Sequence, residues 1–342
     1  MLFNRRNFLA STTAAALAAQ PVEARLLRPR VLKPGNTIGV IAPSTAVFDP
    51  DTLAAAERTL RHFSLQPKWG KFIRQRSDYQ ASVRERVEDL HAMFRDPNVD
   101  AVFAIRGGYG SEHLLDSIDY DLIRAHPKVF LGFSDITALH LAIQKKAGLI
   151  TFHGPVVLSG FSGFTQTYFR KALFDTKPIG LVANPAEDNV MRPRHTLRTV
   201  RPGVARGRLI GGNLTLISTT LGTPYEIDTR GRILFIEDVG EEPYRIDRML
   251  THMRLAGKLD AAAGIVWGEC DDCRPNDYKA STASIFTMGE VVDNILGSLR
   301  IPVLAGLTIG HTGDQVTLPE GVLATLDATK QELIIEESGV VA

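Results

Sequence analysis

Apolar residues along the chain switch between two periods. Thr37-Ile38-Gly39-Val40-Ile41-Ala42-Pro43-Ser44 is a short apolar run closed by Pro and Ser, which predicts a buried strand with a turn at its carboxyl end. Leu53, Ala56, Leu60 and Phe63 then recur at helical spacing, and a second helix is predicted over 82–94, stopping near Asp96-Pro97. Val99 to Ile105 reads as a strand that opens into Arg106-Gly107-Gly108-Tyr109-Gly110-Ser111. A further strand, Val129-Phe130-Leu131-Gly132-Phe133, runs into Ser134-Asp135. The helix predicted next, over 136–146, ends at Gly148, a residue suited to a helix C-cap.

This alternation predicts the α/β class, an open and mainly parallel sheet covered on both faces. Ligands in such folds bind at the carboxyl ends of the strands, where Gly107-Gly108 and Ser134 fall. From Phe161 to Pro202 the sequence is rich in Pro, Thr, Asn and Arg and holds no sustained period, so 161–202 reads as a linker. A second domain over 203–342 follows from Gly211-Gly212-Asn213-Leu214, strands over 233–236 and 264–267, a helix over 246–256, Thr308-Ile309-Gly310-His311, and strands over 322–326 and 332–335. With 33–160 as the first domain, two domains agree with about 150 residues for each.

The first 24 residues stand outside this pattern. Arg5-Arg6, an apolar stretch from Phe8 to Ala19, and Val22-Glu23-Ala24 have the order of a twin-arginine export signal, with cleavage expected after Ala24 and the periplasm as destination. The stretch is too short to span a bilayer, and nothing later reaches ~18 uninterrupted apolar residues, so no stable membrane span is expected. Lys and Arg number 39 against 38 Asp and Glu, which leaves no basic excess for a phosphate backbone and excludes nucleic acid as an expected partner. The two cysteines, Cys270 and Cys273, are too few for a four-ligand zinc site, and the residues around them read as a loop. A small disulfide there is compatible with an oxidising compartment.

Several residues carry candidate chemistry. Gly132-Phe133-Ser134-Asp135 between a strand and a helix has the layout of a nucleophile elbow, although Ile136 stands where the last glycine of Gly-x-Ser-x-Gly would be. The alternative is that Ser134 or Asp135 caps the helix. An elbow serine needs an oxyanion hole, which the N–H of Asp135 and that of Gly107 or Gly108 can form. The glycine run could equally be a tight turn, while the spacing of a phosphate loop is absent. For the base, His311 on its glycine-flanked loop competes with His153 in Phe152-His153-Gly154-Pro155. Glu237, at the end of its strand, is a candidate for orienting the imidazole, with Asp238 on the opposite face; pairing with Arg245 or Arg248 is the alternative. Periodicity leaves these choices open.

Taken in order, Arg106-Gly107-Gly108-Tyr109-Gly110, Gly132-Phe133-Ser134-Asp135, His153-Gly154-Pro155, Gly211-Gly212-Asn213-Leu214, Phe235-Ile236-Glu237-Asp238, Pro243-Tyr244-Arg245-Ile246-Asp247-Arg248 and Gly310-His311 resemble the LD-carboxypeptidase family of serine peptidases, the muramoyltetrapeptide carboxypeptidases. The resemblance runs from about Lys33 to the C-terminus. It implies a catalytic Ser134, His311 and Glu237, a flavodoxin- or amidotransferase-like N-terminal domain, and a swivelling β/α C-terminal domain with the active site between them. It also implies a homodimer that uses no cofactor or metal. The implied reaction removes the terminal D-alanine of a murein tetrapeptide, cutting an L,D bond after diaminopimelate or lysine. A related branch hydrolyses microcin C-like peptide–nucleotide conjugates. Arg106, Asn213 and His153 are candidate substrate contacts, with Arg106 placed to receive the terminal carboxylate. Family members commonly work in the cytoplasm, so the export signal here sets the substrate's location apart. A non-catalytic exported peptide-binding protein is the alternative outside enzymes.

Overall fold

In the computed structural model, which describes residues 26–75, 81–186, 189, 191, 193–275 and 286–342, the first half of the chain lays down strands and helices in alternation. The export signal expected over 1–24 lies outside the described residues. The order is β1 (Thr37–Ile41), α1 (Pro50–His62), β2 (Gln66–Trp69), α2 (Val83–Arg95), β3 (Ala101–Ala104), α3 (Tyr120–Ala125), β4 (Val129–Gly132), α4 (Thr137–Ala147) and β5 (Thr151–His153). Local chemistry sets the helix ends. Asp49 accepts from Thr52 N–H ahead of Pro50, and Ser82 with Glu85 forms a reciprocal capping box. Gly148, in the left-handed region, ends α4. Strands β2, β1, β3, β4 and β5 are parallel neighbours in that order, and the three central ones are almost wholly buried because crossover helices cover the sheet.

The chain continues through α5 (Gly163–Leu173), β6 (Gly180–Val182), β7 (Arg198–Arg201), β8 (Val204–Asn213), α6 (Leu214–Thr219), β9 (Ile233–Val239), α7 (Pro243–Leu255), α8 (Lys258–Ala261), β10 (Gly264–Asp271), α9 (Met288–Ile295), β11 (Val303–Leu307), β12 (Leu318–Glu320), β13 (Leu323–Asp327) and β14 (Glu332–Ile335). Eight of these strands form a second sheet in the order β6-β14-β13-β8-β9-β10-β11-β7, parallel at its centre from β8 to β11 and antiparallel at both flanks. The remaining strand, β12, leaves the second half of the chain and pairs antiparallel with β5 at the edge of the first sheet. The fold is therefore the expected α/β arrangement of a parallel first sheet and a second β/α unit.

Two local expectations need correction. The span 161–202, read as aperiodic, carries α5 and the two edge strands β6 and β7. Edge strands of only three and four residues are too short to show alternation, and α5 packs Tyr168, Phe169 and Leu173 into the core shared with Phe63 and Phe103. The residues around Cys270 are not a loop: β10 runs to Asp271, and Cys270 is joined to Cys273 as a disulfide just past it. One apolar cluster includes Phe103, Leu131 and Phe152 from the first sheet with Phe235, Leu304 and Leu326 from the second. The two sheets thus share a core, and a site between them has walls fixed by common packing.

Candidate active site

Between β4 and α4 the chain turns through Ser134, whose φ of 64° lies in the left-handed region. A non-glycine residue there is held by its surroundings rather than by preference. The turn is fixed from below, where the buried His140 of α4 donates from Nε2 to the Gly132 carbonyl at 2.9 Å. Neither Ser134 nor Asp135 caps a helix with its side chain, which removes the capping alternative. The hydroxyl of Ser134 instead points across the cleft and donates to His311 Nε2 at 2.9 Å.

His311 comes from the loop between β11 and β12, and Glu237 from β9 on the neighbouring part of the second sheet. Nδ1 of His311 donates to Glu237 Oε2 at 2.7 Å. A carboxylate only accepts, so the proton sits on Nδ1 and Nε2 is left with a lone pair facing the serine. Glu237 is fully buried while the His311 side chain keeps 18% exposure. Gly310 makes the approach possible. Its φ is 90°, and a Cβ at that position would overlap the Glu237 carboxylate. Burial is the largest single influence on His311 and pushes its pKa down. The hydrogen bond and charge of Glu237, with the charges of Asp238 and Asp271, outweigh it, so the net direction is upward from 6.5.

Strand alternation puts Asp238 on the opposite face, as expected. There it accepts from Asn213 Nδ2 at 3.0 Å and from Thr215 N–H and Oγ1 at 3.0 and 2.9 Å. The arginines that could have competed for Glu237 are engaged elsewhere: Arg245 pairs with Glu241, and Arg248 stacks over Tyr244.

Beside Ser134 lies an open cleft of about 290 Å³ lined by Arg106, Gly107, Gly108, Phe133, Ser134, Val156, Leu158, Ser159 and His311. Gly107 lies against the serine; a Cβ there would come 3.0 and 3.2 Å from Ser134 Cβ and Oγ, so a side chain at 107 would crowd the hydroxyl. Asp135 begins the turn that leads into α4, where the first N–H groups have no partner within the helix. The Phe133 ring packs on the imidazole of His311, with centroids 4.7 Å apart.

Of the three side chains expected to touch substrate, Arg106 lines the cleft and two do not. His153 is fully buried behind Phe133 and against Phe235, and its ring cannot reach a ligand in the cleft. Its sequence setting next to Gly-Pro resembled an exposed loop, but β5 ends on it and the fold covers it. Asn213 is also buried; its Oδ1 accepts from Leu216 N–H to start α6. Sequence reasoning missed Ser44 and Ser111, which hold the Asp135 carboxylate at 2.5 and 2.8 Å through a hydroxyl and a backbone N–H. Both follow a Pro or Gly at a strand's carboxyl end, a signal of position and not of partner. Among the described residues no group of three or more His, Cys, Asp or Glu is placed to hold a metal, and no helix is long and apolar enough to cross a membrane.

Comparison with known proteins points in one direction. A model described as the LD-carboxypeptidase N-terminal domain matches residues 38–154, and one described as the LD-carboxypeptidase C-terminal domain matches residues 206–326. A Bacillus subtilis protein named "Probable murein peptide carboxypeptidase" is 39% identical over 315 residues, covering 90% of this chain and 94% of its own. The microcin C7 self-immunity protein of Escherichia coli is 30% identical over 335 residues, with 89% and 94% covered. Among solved structures, a muramoyltetrapeptide carboxypeptidase from Oxalobacter formigenes has a TM-score of 0.75 at 30% identity, covering 89% of this chain and 99% of that one. The wild-type microcin C7 self-immunity protein without ligand has a TM-score of 0.80 at 28% identity, covering 92% and 100%.

Proposed function

The chain belongs to the LD-carboxypeptidase family, and from that premise we propose that it is an exported serine-type carboxypeptidase that removes the terminal D-alanine from murein tetrapeptides. The observation that carries this reading is the unbroken run of hydrogen bonds from Ser134 through His311 to the buried Glu237, opening on a glycine-walled cleft.

Ser134 Oγ attacks the scissile carbonyl as His311 Nε2 takes its proton. The oxyanion is received by the N–H of Asp135 and that of Gly107 or Gly108, which are fixed before the substrate arrives and so cost little reorganisation. His311 then returns the proton to the leaving amine of D-alanine. Water, deprotonated by His311 in its turn, cleaves the acyl-enzyme and restores Ser134. Glu237 holds the imidazole in one tautomer and stabilises its cation at both steps. Arg106 at the cleft rim supplies positive charge for the terminal carboxylate, the group that separates a carboxypeptidase from an endopeptidase.

Incubation with a murein tetrapeptide should release D-alanine and the tripeptide, measured by mass spectrometry. A protein that binds the peptide, releases nothing and resists a fluorophosphonate probe would be a binding protein instead. The likeness to the microcin C7 self-immunity protein favours a second reading, hydrolysis of peptide–nucleotide conjugates, and the same assay with such a conjugate separates the two. Arg5-Arg6 and the alanine-rich run after them support a periplasmic site for the reaction. Arg5→Lys with Arg6→Lys should keep the protein in the cytoplasm, read by fractionation; unchanged export would remove the twin-arginine assignment. The family resemblance adds the expectation of a homodimer, which light scattering of the purified protein decides.

A further inference from the structure

The oxyanion cradle is formed by two loops at the carboxyl ends of neighbouring strands, one after β1 and one after β3, together with the turn after β4. Loops of this kind wander unless something brackets them. Here the bracket is internal. Arg86 on α2 is 3% exposed, and its Nη1 donates both to the Pro43 carbonyl at 2.6 Å and to the Gly110 carbonyl at 2.8 Å. The residues immediately after those two carbonyls, Ser44 and Ser111, are the ones that hold the Asp135 carboxylate, at 2.5 and 2.8 Å. Ser111 Oγ also donates to the Asp135 carbonyl, and Tyr109 N–H donates to Thr45 Oγ1 at 3.3 Å. Asp135, the residue after Ser134, is therefore pinned at both its carboxylate and its carbonyl.

We propose that Arg86 is a positioning residue for the proposed acyl-transfer reaction: through Pro43-Ser44 and Gly110-Ser111 it sets the spacing between the Asp135 and Gly107 N–H groups that receive the oxyanion. The inference rests on the serine-peptidase reading of the cleft. A buried guanidinium is a costly choice for packing alone, because its charge must be met by acceptors in a low-dielectric interior. Two carbonyls from two different loops meet it, which converts that cost into a fixed distance between the loops. Gly107 lies within the bracketed loop and against Ser134, so a drift of either loop moves a donor relative to the attacked carbon. Misplacement of about 1 Å at such a position costs on the order of 10²-fold in rate.

The effect belongs to the transition state, so it should fall on kcat and not on ground-state binding. Arg86→Met keeps the length and apolar stem and loses both donors. The expected result, for protein shown folded by circular dichroism and thermal unfolding, is a kcat for D-alanine release lower by about 10²-fold with KM within about threefold. Affinity for a peptide boronic acid, whose boron bonds Ser134 Oγ and offers an oxygen to the cradle, should weaken by the same factor as kcat/KM. Arg86→Lys, which keeps a buried donor able to reach both carbonyls, should recover most of kcat. A folded Arg86→Met enzyme with wild-type kcat, or with a raised KM and unchanged kcat, overturns the proposal. Should Arg86→Met fail to fold, Ser44→Ala carries the test: it removes one bond of the same bracket, and an unchanged kcat overturns the proposal, whereas a drop of about tenfold at constant KM supports it. Wild-type protein that neither releases D-alanine nor takes the boronic acid removes the peptidase reading and this inference together. Competent wild type with an unimpaired Arg86→Met removes the inference alone.

Discussion

The two walls of the cleft hold the proposed nucleophile and the proposed base by different means. On the first sheet's side, Ser134 is fixed by backbone: a left-handed turn, the Gly132 carbonyl tied to His140, and Asp135 pinned to two loops. On the second sheet's side, His311 sits on a partly exposed loop, and its Nδ1 is held by one carboxylate, the buried Glu237. The proposed nucleophile is thus placed by many contacts, most of them to backbone, and the proposed base by a single carboxylate. The first wall should tolerate loss of any one contact better than the second, and only the second should show its electrostatics in a pH profile.

Removing each reacting group sets the scale. Ser134→Ala should leave the circular dichroism unchanged and lower kcat by ~10⁴ or more, since triad members act as a unit. Retention of even a tenth of the wild-type turnover would mean the nucleophile lies elsewhere. Glu237→Gln tests the single charged contact. It keeps the shape but loses the charge, and kcat should fall by ~10²–10⁴. In the proposed mechanism the base acts when neutral, so kcat/KM should rise with pH through the pKa of His311, which Glu237 holds above 6.5. Without that charge, burial dominates and the acid limb should move to lower pH. A limb that stays in place would separate Glu237 from the group that titrates.

Gly310→Ala attacks the same contact sterically. The new Cβ would overlap the Glu237 carboxylate on a backbone with φ of 90°, so the His311–Glu237 pair must open. A loss in kcat of about 10²-fold is expected, with the acid limb moved to lower pH as for Glu237→Gln, because the imidazole loses its charged partner. Near-normal turnover would show that the loop can find Glu237 by another path, and that the second wall is less dependent on one contact than its geometry indicates.

The uneven legibility of the chain has the same origin. The strands ending at Ile41, Ala104 and Gly132 and the helices between them were readable because each is buried and periodic over several residues. Ser134, Glu237 and His311 stand out as polar residues at strand ends or glycine-flanked turns, so position alone made them candidates. Their mutual choice came from the family resemblance, not from spacing, because 177 residues separate Ser134 from His311. What stayed hidden depends on long-range pairing. Strand β12 joins the first sheet from the far end of the chain, and its three residues carry no period of their own. His153 looked like a loop histidine because burial by β9, from the other sheet, leaves no mark on the local sequence. Arg86 reads as one more polar residue of an amphipathic helix, although it is among the most buried residues of that helix.

His153 gives the mildest and most diagnostic test of the two-wall picture. It is fully buried, neither ring nitrogen has a protein partner, and burial, with smaller contributions from His140 and His311, pushes its pKa well below 6.5. It is therefore neutral at working pH and packs as a flat, mostly apolar body against Phe235. His153→Leu, close to it in volume, should keep kcat and KM within about threefold, since it touches neither substrate nor base. Its signature lies in stability. A histidine whose folded pKa is depressed binds its proton more readily in the unfolded chain, so its neutral form supports the fold above about pH 6.5 and that support is lost as pH falls toward the folded value. His140, pushed down to about 4 by burial, acts in the same window. Glu320, buried nearby with its pKa raised well above 4.5, acts in the opposite sense: its support is present below about 4.5 and is lost as pH rises toward its folded value. Wild-type Tm should thus decline between pH 6.5 and 4 to the extent that the two histidines outweigh Glu320. Because His153→Leu removes one of the histidines, its Tm should decline less steeply across that range. A variant with an unaltered Tm–pH slope and a kcat reduced more than tenfold would place His153 in the chemistry after all, and the first wall would then carry a titrating group as well as the second.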